Sequence, residues 1–303
     1  MSLDCRRVTD PQATRRRPVV SVLTPSFEQA RWLEDNLRSV EAQTYASIEH
    51  VVMDGGSTDG SVGILESRRR DGLIWASQQD NGQSDAINRA FARSSGEIIG
   101  WLNSDDAYFA SDVVERAVKV FEDEPDVGVV YGHAVLVNAE DSLLQVIWTP
   151  AFAQTLVPAY NLICQPTVFV RRSVIGRETF VDPSLEYMMD WELWLRLARR
   201  TQFQRLNLIV AIDRHHLQRK SYTRLDLATH DWALIGQRYR IPWFATNRIL
   251  AKTVKVAVRL AGLSKVPEAA RGSDALTLGT SSVRAIAVRQ VAMFRRWMPS
   301  GDL

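Results

Sequence analysis

Five short groups of residues carry side chains whose types and spacing suit chemistry. The first is Asp105-Asp106. Two adjacent carboxylates repel each other unless a cation lies near, and oxygen donors suit a hard ion such as Mg²⁺ or Mn²⁺. Such an ion takes one or two carboxylates and fills its shell with phosphate and water, which fits a nucleotide diphosphate. The second group is Asp54 with Gly55, Gly56, Ser57 and Asp59. An acid there can bind ribose hydroxyls or a base N–H beside glycines that let backbone approach a ligand. The same residues also read as a helix start capped by Ser57 or Thr58, and both readings can hold together. The third, Asp80-Asn81-Gly82-Gln83-Ser84-Asp85, is a turn that opens a helix. Helix N-termini attract phosphate, but the acid Asp85 favours a base or ribose contact. The fourth is Asp190, flanked by Trp191 and Trp194 near the start of an apolar helix. Partial burial among aromatics raises an acid towards the range of a useful base. The fifth is Arg214-His215-His216 with Lys220-Ser221, cations and imidazoles that could close over a diphosphate.

The elements that must position these groups follow from hydrophobic pattern. Short apolar runs at Val19–Leu23, Ile48–Met53, Leu73–Ala76 and Ile98–Leu102 read as strands. Helical spacing follows each: Leu33, Leu37 and Val40; Thr58 to Leu65; Ser84 to Ala92; and Val113, Val114, Ala117, Val118 and Phe121. Four strand–helix alternations predict parallel strands joined by crossover helices. Ligands then bind at the carboxyl ends of the strands, where Thr24-Pro25-Ser26, Asp54-Gly55-Gly56 and Asn103-Ser104-Asp105-Asp106 fall. After Val127 the rhythm changes. Val127–Val137 and Leu143–Trp148 predict an antiparallel pair, Thr167–Val170 and Leu206–Ile212 further strands, and Tyr187–Arg200 and Asp226–Tyr239 helices.

The chain has 303 residues, 46% hydrophobic and 24% charged, enough to bury a sizeable core. Its net charge of +2 is unevenly spread: from Arg248 onward ten Lys/Arg face three Asp/Glu, leaving 27 against 32 before it. Residues 1–17 are polar and basic and read as a disordered leader without the apolar segment of a signal peptide. Two cysteines, Cys5 and Cys164, make no disulfide framework, which points to a cytoplasmic protein. Leu143 to Val170 carry no charge, but Pro150, Pro158 and Pro166 break the run, as do Asn161 and Gln165, so it reads as strand, loop and strand rather than as a membrane span. The tail, 241–303, reads as a helical basic extension. Arg248, Lys252, Lys255 and Arg259, then Arg284 to Trp297, suit peripheral contact with the inner membrane face through residues 248–298, or docking on the core. The acidic head and a basic tail without a recognisable binding motif give no support for a nucleic-acid partner.

Taken in order, four segments resemble the family 2 glycosyltransferases: Val22–Phe27, Val52–Gly60, Gly100–Asp106 and Met189–Arg196. The resemblance covers roughly Pro18 to Tyr239. It implies an α/β fold of the GT-A kind, a Rossmann-like mixed sheet flanked by helices. A nucleotide-binding half would fill 18–122 and an acceptor half 123–240. It further implies inverting transfer from a nucleotide-diphosphate sugar to an acceptor hydroxyl, on a saccharide or a lipid-linked molecule, in cell-surface polysaccharide or glycolipid assembly. Thr24, Pro25, Ser26, Glu28, Asp54, Gln83, Ser84, Asp85 and Ser104 would form the nucleotide pocket. Asp105, with Asn103 and His216, would hold Mn²⁺ or Mg²⁺, and Lys220 would partner phosphate. Asp190 would be the base, and Trp101, Asp106 and Trp191 would face the acceptor. One departure is Asn103, which stands where the family has an acid and brings no charge. It is the one feature favouring a catalytically degenerate sugar-nucleotide-binding scaffold. A nucleotidyltransferase would open with a Gly-rich basic loop, where this chain has Thr24-Pro25-Ser26-Phe27-Glu28.

Overall fold

In a computed structural model, residues 17–151, 157, 161 and 163–240 are described. The leader up to residue 16 and the basic tail lie outside them. The elements run β1 (Val20–Ser26), α1 (Ala30–Glu41), β2 (Ile48–Asp54), α2 (Ser61–Ser67), β3 (Leu73–Ser77), α3 (Gln83–Arg93) and β4 (Ile98–Trp101). Then come β5 (Ala107–Tyr108), α4 (Val113–Asp123), β6 (Val127–Asn138), β7 (Leu143–Ile147), a 3₁₀ turn (Gln165–Thr167), β8 (Phe169–Arg171) and α5 (Arg172–Ile175). The last are α6 (Met189–Leu197), β9 (Gln202–His215), α7 (Lys220–Thr223) and α8 (Leu225–Tyr239).

One mixed sheet carries the order β3-β2-β1-β4-β8-β6-β9-β5, with β7 on β6. The first four strands are parallel, as the strand–helix alternation requires. From β8 the sheet changes character, because β8 runs antiparallel to both β4 and β6. β7 pairs antiparallel with β6, and β9 returns parallel to it.

Each central strand feeds two cores because side chains alternate faces. Leu23, Ile99 and Trp101 pack with Ala86, Ile87 and Ala90 of α3 and with Leu193 and Trp194 of α6. Val20, Val22 and Ile98 face the other way, onto Val113, Val114, Ala117, Val118 and Phe121 of α4. The apolar stripe read in α4 is therefore a core face, and α6, apolar nearly all round, is buried nearly all round. The uncharged stretch from Leu143 contains β7 and leads through the 3₁₀ turn into β8, and no described helix is long and apolar enough to cross a membrane.

Some boundaries differ from the expectation. β9 spans fourteen residues, because its first half carries Gln202, Gln204 and Arg205, polar residues paired to β6 at a partly exposed end of the strand. α6 is shorter than Tyr187–Arg200, beginning only at Met189. The two-residue strand β5 is too short to carry a periodic signal, yet it fixes the chain directly after Asp106 through pairing with Ile212 and Ala211.

Candidate active site

The carboxyl ends of β1, β2 and β4, the start of α3, Asn161 and Gln165, the start of α6 and the loop after β9 surround one cavity of about 1220 Å³. This is where an open parallel sheet presents its ligand crevice.

On one side lie the tips of β1 and β2. Pro25, Ser26 and Glu28 line the cavity, and the buried Ser26 hydroxyl has no hydrogen-bond partner among the described residues. Glu28, at φ 53°, accepts from the Thr58 N–H at 2.8 Å, while its own N–H donates to Ser57 Oγ at 2.8 Å. This ties the two loops together. Thr24 does not reach the cavity, contrary to the expectation. It lies two residues deeper on the strand, donating to the Leu102 carbonyl at 2.8 Å. Its single proton is thereby used, so His50 Nε2, 2.9 Å away, donates to Thr24 Oγ1. Burial pushes His50 down to about 3, so the ring is neutral.

Asp54 also has a different position from the one expected. It is buried, lies outside the main cavity and takes four hydrogen bonds. Oδ2 accepts from Gly56 N (3.1 Å), Ser57 N (2.9 Å) and Ser77 Oγ (2.6 Å), and Oδ1 from Ser57 Oγ (2.6 Å). It builds the glycine loop that borders the cavity. Beside Glu28, the carboxylate that lines this wall is Asp80, which the sequence analysis placed in the turn before α3 without giving it a ligand contact. Its Oδ1 accepts from Gly82 N at 2.9 Å. Its Oδ2 lies so close to Gly55 that a Cβ there would sit 2.9 Å away. Burial raises Asp80 above the usual aspartate range.

At α3, Gln83 lines the cavity, but Ser84 and Asp85 do not. Ser84 is buried and donates to the Leu185 carbonyl. Asp85 turns along the helix to Arg89, 2.7 Å away, and accepts from Asn81 N. Successive helical positions point about 100° apart, so only one of the three faces inward.

The loop after β4 gathers the remaining groups. Ser104 and Asp105 line the cavity. His216 stands behind Asp105, with Nε2 3.0 Å from Oδ2 and its ring 4.0 Å from that of Trp32. Burial opposes charge on Asp105, but the His216 hydrogen bond and the nearby Arg219 outweigh it and hold its carboxyl below the ordinary range. Adjacent ligands of an octahedral ion with bonds of about 2.1 Å lie about 3.0 Å apart. An ion held by Asp105 and His216 would replace the hydrogen bond between them, with phosphate and water left to complete the shell. Asn103 does not fit as a ligand. Its Oδ1 already accepts from Gln83 Nε2 (3.1 Å) and Trp101 Nε1 (3.0 Å), and its Nδ2 donates to Gln165 Oε1 (2.8 Å). No group of three His, Cys, Asp or Glu with metal-holding geometry occurs among the described residues, so protein would supply two ligands here.

Asp106 does not face an acceptor. It is fully buried beneath the loop, where Oδ1 accepts from Arg214 N at 3.1 Å. Burial, then the charges of Asp105 and Asp213, push it well above the usual range. Arg214, also fully buried, reaches Asp141 (2.7 Å), Asp35 (3.3 Å) and the Asp105 carbonyl (2.7 Å), so it clamps the loop from below.

On the other side stands Asp190, in the first turn of α6. It is half-buried and lines the cavity, as do Trp101 and Trp191. Asn161 Nδ2 donates to its Oδ2 at 2.8 Å and Trp191 N to its Oδ1 at 2.7 Å. Burial raises its pKa despite these bonds. Trp191 Nε1 donates to the Val157 carbonyl at 2.7 Å, which fixes the ring. Lys220 reaches into the same space and pairs with Glu186 at 2.6 Å. Asn161, Gln165, Glu186 and Arg219 are cavity residues that sequence reasoning did not select. The first two were legible only as polar interruptions of an uncharged run.

A parallel half-sheet that turns mixed after its fourth strand, with an acid in the loop after that strand, defines an α/β fold of the GT-A class. The chain belongs to glycosyl transferase family 2, whose sequence model matches residues 21–225. An uncharacterized glycosyltransferase of Mycobacterium tuberculosis is 38% identical over 116 residues, which cover 38% of this chain and 44% of the relative. A PGL/p-HBAD biosynthesis glycosyltransferase of Mycobacterium bovis is 29% identical over 185 residues, 59% of this chain and 69% of its own. The chain spans about half the length of the curated relatives it matches first. Among solved structures, TarS of S. aureus in complex with UDP-GlcNAc superimposes with a TM-score of 0.55 at 17% identity, covering 65% of this chain and 59% of TarS. The mannosyltransferase PcManGT of Pyrobaculum calidifontis, in complex with GDP-Man and Mn²⁺, gives 0.55 at 20% identity over 93% and 83%. At such identities these likenesses show the shared fold.

Proposed function

We propose that this protein is an inverting glycosyltransferase that moves a sugar from a nucleotide-diphosphate sugar to an acceptor hydroxyl. The observation that carries the reading is that Asp190 lines the same cavity as Asp105, with one carboxyl raised by burial and the other lowered. Two acids pushed apart in this way divide the labour of base and charged ligand. Nucleotide enters at the β1 and β2 tips, against Ser26, Asp80 and Gln83. Acceptor enters beside α6, against Trp191 and Trp101. Residues 18–122 supply most of the donor side and 123–240 most of the acceptor side, with Trp101 reaching across to the acceptor and His216 to the donor.

Asp190 takes the proton from the acceptor hydroxyl. The acceptor oxygen forms its bond to the anomeric carbon as the bond from that carbon to the diphosphate breaks, and the electron pair leaves with the diphosphate. Attack from the opposite face inverts the configuration. Asp105 and His216 would hold Mn²⁺ or Mg²⁺, which when bound offsets charge on the diphosphate. Asn161 and the Trp191 N–H keep the Asp190 carboxylate aimed. Cell-surface polysaccharide or glycolipid assembly is the setting we favour. It is supported by the named activity of the M. bovis relative and by the basic segment 248–298, suited to a membrane bearing lipid-linked acceptors. Removing residues from Arg248 onward should release the protein from anionic vesicles, and equal binding by the shortened chain would contradict that role.

The test of the transfer reaction is a panel of UDP-, GDP- and dTDP-sugars with Mn²⁺, Mg²⁺ or chelator, read by thermal shift. NMR of the product formed from whichever donor binds then gives its anomeric configuration. A metal-dependent shift with one nucleotide and a product of opposite configuration are expected. Retention of configuration, or no shift with any donor, would overturn the proposal.

A further inference from the structure

The helix that carries Asp190 is not capped by its own sequence. α6 opens at Met189, and the residue before it, Met188, makes no side-chain capping bond. Serine, threonine, asparagine or aspartate usually stands at that position. The backbone of the turn that enters the helix is held from α8 instead. Asp231 Oδ2 accepts from the N–H groups of Glu186 at 3.1 Å, Tyr187 at 2.7 Å and Met188 at 2.9 Å. Asp231 is 1% exposed, and its Oδ1 has no hydrogen-bond partner among the described residues. Burying a carboxylate costs free energy that only its partners offset, and here the partners are three consecutive backbone N–H groups. Asp231, Ile235 and Tyr239 recur every four residues and so share a face of α8. Ile235 joins the core cluster of Leu193 and Trp194, and Tyr239 donates to the buried Glu192 of α6. Trp232 packs edge-on against Trp191, with ring centroids 4.5 Å apart.

We infer that Asp231 is a positioning residue for the transfer reaction: by fixing the turn 186–188 it sets where the Asp190 carboxylate meets the acceptor oxygen. This role rests on the reading of Asp190 as the base and deepens it. Glu186, Tyr187, Met188, Met189, Asp190 and Trp191 line the cavity as an unbroken run, so a rotation of the turn is felt directly in the site. Asp190 cannot adjust alone, because its Oδ1 accepts from Trp191 N at 2.7 Å and turns with that backbone. Asn161 holds the other oxygen. A misplacement of about 1 Å can cost about a hundredfold in rate. The donor side is built elsewhere, from Ser26 at the tip of β1, Asp80 after β3 and Gln83 at the start of α3. Loss of the Asp231 contact therefore falls on the chemical step and spares nucleotide binding. What the role requires of residue 231 is an acceptor oxygen at a fixed place.

Calorimetric titration of the full chain with UDP-, GDP- and dTDP-sugars identifies the donor and gives its Kd. Release of nucleoside diphosphate from that donor, with water or a panel of methyl glycosides as acceptor, gives the rate at saturating donor. Asp231→Ala should keep donor Kd within about threefold of native while the rate falls at least thirtyfold, about 2 kcal/mol. Asp231→Asn keeps an oxygen for the three N–H groups and should restore the rate to within about fivefold of native. Asp231→Glu keeps the carboxylate but advances it by one methylene. It should lower the rate at least fivefold with donor Kd unchanged, and it carries the test if the alanine variant does not fold. Tyr239→Phe loosens α8 from α6 away from the turn and should leave the rate within about threefold of native. A near-native rate in Asp231→Ala or Asp231→Glu would overturn the role of Asp231, as would an asparagine variant as slow as the alanine one. So would a donor affinity that falls by the same factor as the rate, or a rate in Tyr239→Phe as low as in Asp231→Ala, since either marks general packing of α8. Failure of the underlying reading looks different: Asp190→Asn would then keep the native rate, or no donor would bind the native chain.

Discussion

Asp54 offers a sharp test of how the donor side is built. Two substitutions separate a scaffold from a ligand contact. In Asp54→Ala four donors lose their acceptor: the Gly56 and Ser57 N–H groups and the Ser57 and Ser77 hydroxyls. A hydrogen bond to a charged group contributes about 1.5–3 kcal/mol. Gly56 is exposed and Ser57 half-exposed, so water replaces part of what is lost. The four bonds also share one acceptor and are not additive. A loss of about 3–5 kcal/mol follows for Asp54→Ala. Asp54→Asn keeps one oxygen for the three Oδ2 bonds and loses the charge, for about 1–2 kcal/mol. At about 2–4 °C per kcal/mol for a domain of this size, Tm should drop by about 6–20 °C and about 2–8 °C respectively. Differential scanning fluorimetry reads the first quantity and calorimetric titration of nucleoside diphosphate the second. The scaffold account expects Asp54→Asn to change nucleotide Kd by only a few-fold. An unchanged Tm with a loss of affinity beyond about thirtyfold, roughly 2 kcal/mol, would refute it and return Asp54 to the ligand.

Three further outcomes follow from the same geometry. Asp105→Ala should abolish the difference in donor affinity between Mn²⁺ and chelator, and a persistent metal-dependent difference in titration would exclude Asp105 as the ligand. Arg214→Met leaves Asp35, Asp141 and a carbonyl without their cation. Breaking a buried pair costs about 3–5 kcal/mol, and because both acids reach water the expected loss is about 2–4 kcal/mol, read as a shift in urea midpoint. Asp190 must be ionised to accept a proton, and burial raises its pKa above the ordinary 3.8. Activity should therefore fall as pH drops through that raised value, with the acid limb of the kcat profile above the normal aspartate range. A limb at or below that range would place the base elsewhere.

Much of this was legible in the sequence because strand–helix alternation is a strong pattern and ligand-binding residues follow strand ends. Asp105 and Asp190, singled out as metal ligand and base, line the cavity, and the structure brings Asp105 and His216 together across 111 positions. Direction within an element was less legible. Thr24 and Ser26 share a strand face, yet two residues at about 3.3 Å each separate a buried hydroxyl from one at the cavity. Gln83, Ser84 and Asp85 are neighbours on a helix and point three ways. For Asp54 both a ligand and a loop-building role were open, and the four hydrogen bonds favour the second. Asn161 and Gln165 showed only as polar interruptions of an uncharged run and Arg219 carried no local signal, because their roles arise from partners far along the chain, such as Asn103 for Gln165.

The central claim, that Asp190 is the base of a donor-binding transferase, is tested most directly by comparing Asp190→Asn with the native chain in paired measurements of nucleotide-sugar affinity and single-turnover transfer. The amide keeps the shape and the acceptor for Asn161 but cannot take a proton. Donor affinity within about threefold of native, below 1 kcal/mol, together with transfer reduced at least a thousandfold, about 4 kcal/mol, is the result this account predicts. Transfer within tenfold of native by Asp190→Asn would contradict it. Glu192, which is buried and bonded to Tyr239 and Arg196, is not positioned to take over.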